Sequence, residues 1–274
     1  MTAANEQSLG GKLLAGKHGL VMGVANDHSI AYGIARAAAG AGAKLCLTYQ
    51  NDMLAKRVVP LAEALGADTL PCDVSEVGAV EAMAKQLAKS HPQIDFIVHA
   101  IAFADKAELK GDYLNTSRAN FNKALMVSCY SLTELTRALL PLMEKQGGSV
   151  LTLSYLGATR ITPNYNVMGV AKAALETSVR YLAMDLGKQA IRVNAISAGP
   201  VKTLAGAAIA GARHVYRHSE KQAPLGHNPD MDAIGRAALY FLSDMSSGVT
   251  GEIHFVDGGY HHIGVPTAPA TNGE

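Results

Sequence analysis

The 274-residue chain has few of the residues that mark membrane, secreted or metal-binding proteins. Its three cysteines, Cys46, Cys72 and Cys129, are too few and too scattered for a disulfide framework or a cysteine-based metal site. We expect them to act as small buried hydrophobic side chains in a reducing compartment. No uninterrupted apolar run reaches about eighteen residues, and residues 1–11 are polar, so we expect no transmembrane helix and no signal peptide. A cytoplasmic protein without a metal is the expectation.

Charged residues are also scarce, at 17% of the chain against 49% apolar residues. The formal net charge is +1, which gives no reason to expect binding to nucleic acid or to an anionic membrane. A low charge content in a chain of this size suggests that part of the surface is buried between subunits. We therefore expect a homo-oligomer.

Short β-rich segments alternate with longer Ala-rich helical segments along most of the chain. Several strand candidates, such as Phe96-Ile97-Val98, are apolar throughout, as is typical of a parallel sheet covered on both faces. The alternation predicts an α/β fold, a doubly wound seven-stranded parallel sheet of the Rossmann type with helices on both faces. The predicted strands are 18–23, 43–49, 68–72, 94–99, 149–154, 191–196 and 252–256. The predicted helices are 30–39, 53–65, 76–90, 115–143, 164–187 and 232–242.

No Pro/Gly-rich linker divides the chain, so we predict one domain over residues 11–263 and a disordered tail over 264–274. The segment 204–230 interrupts the alternation, because it opens with small residues and then becomes basic. It predicts either a mobile lid over a site or an ordinary exposed amphipathic helix. Its basic residues form either a solvated face or a docking patch for an acidic protein. They are Arg213, His214, Arg217, His218 and Lys221.

The loop after the first predicted strand lies where a dinucleotide-binding fold holds the phosphates of its cofactor. Gly23 permits a positive φ and a close backbone approach, and the following helix N-terminus offers free N–H groups. The usual GxGxxG spacing is absent, because Ala25 stands at the second glycine position. Ser29 could cap the helix and donate its hydroxyl to a phosphate. A purely structural turn is an equally good interpretation of this loop.

Polar residues follow the second and third predicted strands. Gln50 can hydrogen-bond a ribose hydroxyl, and no arginine adjoins it to accept the 2′-phosphate of NADP, which favours NADH. Asp73 can hold the adenine amino group, or it can instead cap the helix that follows. Small residues after the fourth strand, among them Ala100 and Ala102, would let the chain pass close to a cofactor.

Two tyrosines and a lysine follow the fifth predicted strand. Tyr155 stands at the end of an apolar run, and Tyr165 precedes Lys172 by seven residues, which places both on one helix face two turns apart. A cation beside a phenol favours its proton transfer or hydrogen-bond donation. Such spacing in an arbitrary helix is usually a surface or packing feature. The surrounding sequence is what favours a functional interpretation of this Tyr–Lys pair.

These residues stand in the order found in the short-chain dehydrogenase/reductase superfamily, which the chain resembles over about residues 13–264. That superfamily commonly has a serine after strand five and a tyrosine four residues before the lysine, whereas here Tyr155 occupies that region and the gap is seven. The departures resemble one branch, the NADH-dependent enoyl-[acyl-carrier-protein] reductases of bacterial type II fatty acid synthesis. The segments that carry this resemblance are Leu153-Ser154-Tyr155-Leu156-Gly157, Pro163-Asn164-Tyr165-Asn166-Val167-Met168-Gly169 and Ser197-Ala198-Gly199-Pro200.

The resemblance implies reduction of the trans-2 double bond of an enoyl thioester through an enolate. Tyr165 would hydrogen-bond the enolate oxygen, Lys172 would hold the nicotinamide ribose, and Ala104 would adjoin the acyl substrate. Tyr155 would be the second active-site tyrosine, with its part in the chemistry open. An acidic acyl carrier protein as partner and a homotetramer are also implied. The residues implied to contact NAD are Gly23, Ser29, Ile30, Gln50, Asp73, Val74, Ile101, Lys172, Val201, Lys202, Thr203, Leu204 and Ala205.

Overall fold

A computed structural model describes residues 13–203, 206 and 210–265. Within this part of the chain, seven strands form one parallel sheet in the order β3-β2-β1-β4-β5-β6-β7. The strands are β1 (His18–Met22), β2 (Lys44–Tyr49), β3 (Asp68–Pro71), β4 (Phe96–His99), β5 (Gly148–Ser154), β6 (Ile191–Ala198) and β7 (Ile253–Val256). The predicted sheet is confirmed, and each predicted strand agrees with the observed one to within two residues at either end.

Helices cover both faces of this sheet. They are α1 (Ile30–Gly40), α2 (Asp52–Glu63), α3 (Ala79–Ser90), α4 (Arg118–Leu125), α5 (Ser131–Leu139), α6 (Asn166–Leu186), α7 (Ala212–Gln222) and α8 (Met231–Leu242). On one face α3, α5 and α6 pack around Leu20 and Met22, and on the other α1, α2 and α8 pack around Val21. Successive residues of β1 thus point to opposite faces, as in any strand. Short 3₁₀ turns complete the fold at Tyr113–Asn115, Leu140–Leu142, Leu156–Ala158, Gly187–Gln189, Asp244–Ser246 and Tyr260–His262.

The predicted helix over 115–143 is wrong as one continuous element. It begins at Arg118, where the Ser117 side chain accepts a hydrogen bond from the Asn120 amide, and it is interrupted by the π-helix Met126–Tyr130. In the π-helix the Ser128 hydroxyl accepts a hydrogen bond from Phe103 N (2.9 Å) and donates one to Phe103 O (3.1 Å). The interruption therefore serves a contact with the segment after β4, which hydrophobic periodicity does not register.

The three cysteines are buried and free, in agreement with their expected role as small core residues. Burial raises the pKa of the Cys46 and Cys72 thiols to about 12, so both are protonated and unreactive at neutral pH. Among the described residues, no group of three or more His, Cys, Asp or Glu side chains is placed to bind a metal ion. No helix in the described ranges has the length and apolar character needed to cross a membrane.

The chain order reverses between β1 and β4, and in doubly wound sheets ligands bind beyond the carboxyl ends of the strands at such a point. The ends of β5 and β6 lie on the β4 side of this crevice, and those of β2 and β3 on the β1 side. In the 204–230 segment the described helix is α7, while residues 204, 205 and 207–209 lie outside the described part. The expected tail lies outside it from residue 266 onward.

Candidate active site

The loop between β1 and α1 packs directly against the segment after β4. Gly23 has a φ of +100°, and a Cβ atom at this position would lie 2.1 Å from Ala100 O. Glycine is therefore required both for the backbone conformation and for the space. The backbone of this loop reaches the crevice between β1 and β4, which is where the sequence predicted the cofactor phosphates.

Ser29 is the N-cap residue of α1, but its side chain does not cap the helix. Its hydroxyl oxygen instead accepts hydrogen bonds from Ala25 N (2.9 Å) and Asn26 N (3.1 Å) and donates to Asn26 Oδ1. The predicted side-chain cap is wrong because the amide groups of the preceding loop compete for the same oxygen. Ile30 is the first residue of α1 and packs, partly buried, against the core. The first-turn amides of a helix lack partners within it, so this end can receive an anion.

Gln50 and Asp73 meet at the ends of β2 and β3, where Gln50 Nε2 donates a hydrogen bond to Asp73 Oδ2 at 2.9 Å. Asp73 does not cap α3, which begins at Ala79, because its other oxygen accepts hydrogen bonds from the amide and hydroxyl of Ser75. Burial opposes ionisation, but the hydrogen bonds from Ser75 and Gln50 outweigh it and lower the pKa of Asp73. Val74 packs partly buried against the core.

The segment after β4 approaches the tyrosines. Ile101 packs against the main core, and Ala104 is buried in a small cluster that also contains Tyr165 and Met168. Tyr155 packs against the same cluster. The structure thus brings together the predicted substrate-lining alanine and both predicted tyrosines, while Gln50 and Asp73 lie across β1 from them.

The two tyrosines come from different elements and meet edge to face. Tyr155 directly follows β5 and Tyr165 is the N-cap residue of α6, with their ring centroids 5.0 Å apart. Gly157 makes room for them, since a Cβ there would lie 2.5 Å from Tyr165 Cδ1 and 3.2 Å from Tyr155 Cδ1. Burial raises the pKa of both phenols, so both are hydrogen-bond donors at neutral pH.

The turn into α6 is held by two asparagines that the sequence analysis did not single out. Asn164 and Asn166, on either side of Tyr165, have φ values of 60° and 38°, in the left-handed region that asparagine tolerates. The Asn164 side chain donates a hydrogen bond to Ala210 O (3.0 Å), and that of Asn166 donates to Gly111 O (3.1 Å). Their positions within the Pro163–Gly169 motif were visible in the sequence, whereas their backbone conformation was not.

Lys172 lies two turns into α6 and is 6% exposed. Its ammonium donates a hydrogen bond to Leu153 O at 2.6 Å, at the end of β5. Burial lowers the pKa of Lys172 to about 8, against the opposing influence of Cys129 and Glu176. An ammonium carries three donors, so beyond the bond to Leu153 it has capacity for the hydroxyl groups of a ribose.

The run after β6 carries the remaining predicted cofactor contacts. Val201 packs against the core, and the Lys202 ammonium lies 5.0 Å from the centre of the Tyr216 ring in α7. Thr203 Oγ1 accepts a hydrogen bond from Gly206 N at 2.9 Å. Leu204 and Ala205, which were also predicted to contact NAD, lie outside the described residues.

A small cavity of about 10 Å³ lies beside Tyr155, with Ser197 and Tyr260 in its lining. The Ser197 hydroxyl is buried there without a hydrogen-bond partner among the described residues. Neither residue was predicted as part of the site. Ser197 was visible as part of the Ser197–Pro200 motif, while nothing in the sequence placed Tyr260 near the end of β5.

The doubly wound fold and the buried Tyr165–Lys172 pair define the class of protein as a dinucleotide-dependent oxidoreductase. A family model described as enoyl-(acyl carrier protein) reductase matches residues 23–261. The chain belongs to this enoyl-(acyl carrier protein) reductase family.

Individual relatives match this chain over nearly their whole length. Enoyl-[acyl-carrier-protein] reductase [NADH] 2 of Rhizobium meliloti is 53% identical over 94% of this chain and 96% of the relative. The crystal structure of the Anaplasma phagocytophilum reductase in complex with NAD matches with a TM-score of 0.91 and 52% identity, over 94% of this chain and 98% of that one. FabI from Candidatus Liberibacter asiaticus matches with a TM-score of 0.91 and 48% identity, over 93% and 99% of the two chains.

These likenesses confirm the predicted family, and with it the predicted enzyme class and nicotinamide cofactor. The chain's own residues also fit that cofactor. Gly23 leaves backbone, without a side chain, facing the crevice, and Lys172 supplies a buried ammonium at the end of β5, where it is bonded to the residue two positions before Tyr155.

The close packing at Gly23 yields a test. Gly23→Ala should weaken NADH binding at least about tenfold, because the new Cβ would push the phosphate loop away from Ala100. Binding can be followed by NADH fluorescence titration, with circular dichroism to verify folding. Gly66→Ala is the matched control, since Gly66 also has a left-handed φ, of +63°, but nothing within 4 Å of its Cβ position. Equal NADH affinity in the two folded variants would contradict the assigned phosphate loop.

Proposed function

We propose that this chain reduces the trans-2 double bond of enoyl thioesters attached to an acidic acyl carrier protein, with NADH as the reductant, in bacterial type II fatty acid synthesis. The observation that carries the proposal is the buried pair of Tyr165 and Lys172. The two residues are seven positions apart and follow Tyr155, whose ring packs against that of Tyr165. The sequence resemblance to this branch rests on the same spacing.

NADH, when bound, supplies the hydride that reduces the β-carbon of the substrate. The residues that would hold it are Gly23, Ser29 and Ile30 at the phosphates, Gln50, Asp73 and Val74 at the adenosine, and Ile101, Lys172 and the run from Val201 to Ala205 at the nicotinamide half. Ser29 would turn its hydroxyl proton from Asn26 to a phosphate oxygen. The ionised Asp73, hydrogen-bonded to Gln50, disfavours a 2′-phosphate nearby and so favours NADH over NADPH.

Tyr165 is proposed to stabilise the enolate that forms as the double bond is reduced. Its phenol is buried and protonated, so it can donate a hydrogen bond to the thioester oxygen as negative charge develops there. Tyr155 packs edge to face against Tyr165 and would fix its ring and enclose the acyl chain next to Ala104. Lys172 would place its charge near the reacting atoms while binding the ribose.

Substrate choice separates this function from that of a carbonyl-reducing relative. NADH oxidation should be measured with crotonyl-CoA and with acetoacetyl-CoA. Turnover of the first and none of the second is the expected result. A preference for the 3-oxo substrate would contradict the proposal, because it would identify a carbonyl reductase.

Tyr165→Phe should lower crotonyl-CoA turnover about a hundredfold, the usual loss on removing one oxyanion donor, while NADH affinity is unchanged. Full activity in this variant would refute the role given to Tyr165.

The outer face of α7 is proposed to dock the acidic carrier protein. Arg213, Arg217 and Lys221 are exposed and spaced four residues apart, so they form one basic stripe. The opposite side is anchored, because the buried Ser219 hydroxyl donates a hydrogen bond to Asn228 Oδ1. A positively charged stripe on a helix whose opposite side is fixed to the protein suits a negatively charged partner.

Changing all three basic residues of the stripe to glutamate should raise KM for the carrier-bound substrate at least about tenfold and leave crotonyl-CoA turnover nearly intact, since a rim charge steers association. The control variant changes Lys85, Lys89 and Lys145, which are exposed elsewhere, to glutamate, so the change in net charge is the same. Equal effects of the two triple variants on the carrier-bound substrate would count against a docking stripe on α7.

A homotetramer is proposed from exposed apolar side chains. Tyr181 and Met184 near the end of α6 are 71% and 81% exposed, and Met126 and Tyr130 of the π-helix add 50% and 38%. Such a surface on a chain of low charge content suits burial between subunits. Light scattering should give four times the chain mass of 28.6 kDa. A monomer at micromolar concentration would exclude this assembly.

A further inference from the structure

Two side chains one turn apart on α6 are tied to successive residues at the end of β5. The Lys172 ammonium donates a hydrogen bond to Leu153 O at 2.6 Å. The Glu176 carboxylate accepts one from the Ser154 hydroxyl at 2.5 Å. The residue that follows in the chain is Tyr155. A lysine and a glutamate therefore hold the strand end from which the second active-site tyrosine projects.

Glu176 has no part in the reaction described above, yet its burial demands an explanation. The residue is 4% exposed, and a carboxylate in such a place costs free energy unless it is hydrogen-bonded and paired. The hydrogen bond from Ser154 meets one of these needs. The cations of Lys172 and Arg180, four residues before and after it on α6, also favour the carboxylate, but burial is the largest influence and raises the pKa of Glu176.

We propose that Glu176 is a positioning residue of this enzyme: its carboxylate fixes the end of β5 through Ser154 and keeps Lys172 in its charged form, ready to bind the ribose of the cofactor. The inference rests on the proposed function, since that function gives Lys172 its place at the nicotinamide ribose. Nothing in the sequence spacing alone distinguishes Glu176 from an ordinary helix residue.

Glu176 is the carboxylate among the groups that act on the Lys172 ammonium. Burial is the largest influence and lowers the pKa of Lys172 to about 8, while Cys129 in the π-helix and Glu176 act in the opposite direction. From β4, His99 also interacts with Lys172, but burial lowers the pKa of its imidazole to about 3, so it is neutral. The phenols of Tyr155 and Tyr165 are protonated and neutral as well. Removal of the Glu176 charge should therefore lower the pKa of Lys172 further.

The test is the pH dependence of Lys172 in Glu176→Gln, which keeps the shape of the side chain and removes its charge. NADH affinity should fall as the ammonium loses its proton, with a midpoint near pH 8 in the unaltered enzyme. In Glu176→Gln this midpoint should lie about one pH unit lower, because an opposite charge one helix turn away is lost. The same shift should appear in the ligand-free enzyme, in the ¹³Cε resonance that disappears in Lys172→Met.

Control variants separate the charge from the packing. Asp185→Asn removes an exposed carboxylate from the same helix and should leave the midpoint unchanged. Ser154→Ala removes the hydrogen bond but keeps the charge, so it should lower turnover several-fold without moving the midpoint. Glu176→Met removes the charge with an apolar side chain, which buried sites often tolerate, and serves as the second variant if the glutamine protein folds poorly.

An unchanged midpoint in a folded Glu176→Gln or Glu176→Met protein would overturn the inference, because a purely structural role alters stability without moving the titration of Lys172. Failure of the proposed function has a different signature. In that case the unaltered enzyme would not reduce crotonyl-CoA, while the resonance of Lys172 in the ligand-free protein would still report on Glu176.

Discussion

The hydrogen bond from the buried Lys172 ammonium to Leu153 O is the interaction on which the site depends, because it joins α6 to the end of β5. Tyr155 projects from the strand side of this joint and Tyr165 from the helix side, so their 5.0 Å ring separation is set by how closely the two elements approach. Gly157 and Gly169 allow that approach, since a Cβ on Gly169 would lie 2.9 Å from Gly157 O. A side chain at either position would separate the tyrosines from the hydrogen bond between Lys172 and Leu153 O.

Exclusion of water gives these groups their chemical character. Burial holds the phenols of Tyr155 and Tyr165 in the donor form and at the same time works against the positive charge of Lys172. The exclusion of water that strengthens a hydrogen bond to a developing oxyanion therefore also disfavours the protonated form of Lys172. A buried carboxylate one turn away counters part of this effect. The Ser154 hydroxyl and the two flanking cations offset part of the cost of its own burial, which still raises the pKa of Glu176.

The sheet was predictable because its strands are short, apolar and separated by helical segments, which leaves few alternatives to a parallel, doubly covered arrangement. The positions of Tyr155, Tyr165 and Lys172 followed for the same reason, since all three are counted from strand ends and helix turns. Ser29, Asp73 and Ser128 were not predictable in the same way. Each has a short polar side chain that bonds to whichever backbone or hydroxyl group lies within reach. Ser29 bonds to the amides of Ala25 and Asn26, Asp73 bonds to Ser75, and Ser128 bonds to the backbone of Phe103.

The structure also gives the seven-residue spacing a physical meaning. The residue four positions before Lys172, where the superfamily commonly has its tyrosine, is Met168, which lies inside α6 and packs against Tyr165. Tyr165 stands three residues earlier at the N-cap, about 4.5 Å further along the helix axis. A carbonyl reductase needs its phenol beside the atom bonded directly to the hydride-accepting carbon. In an enoyl thioester the charge develops on an oxygen three bonds from that carbon, so the role proposed for Tyr165 requires a phenol that lies further from the hydride-accepting carbon than in a carbonyl reductase.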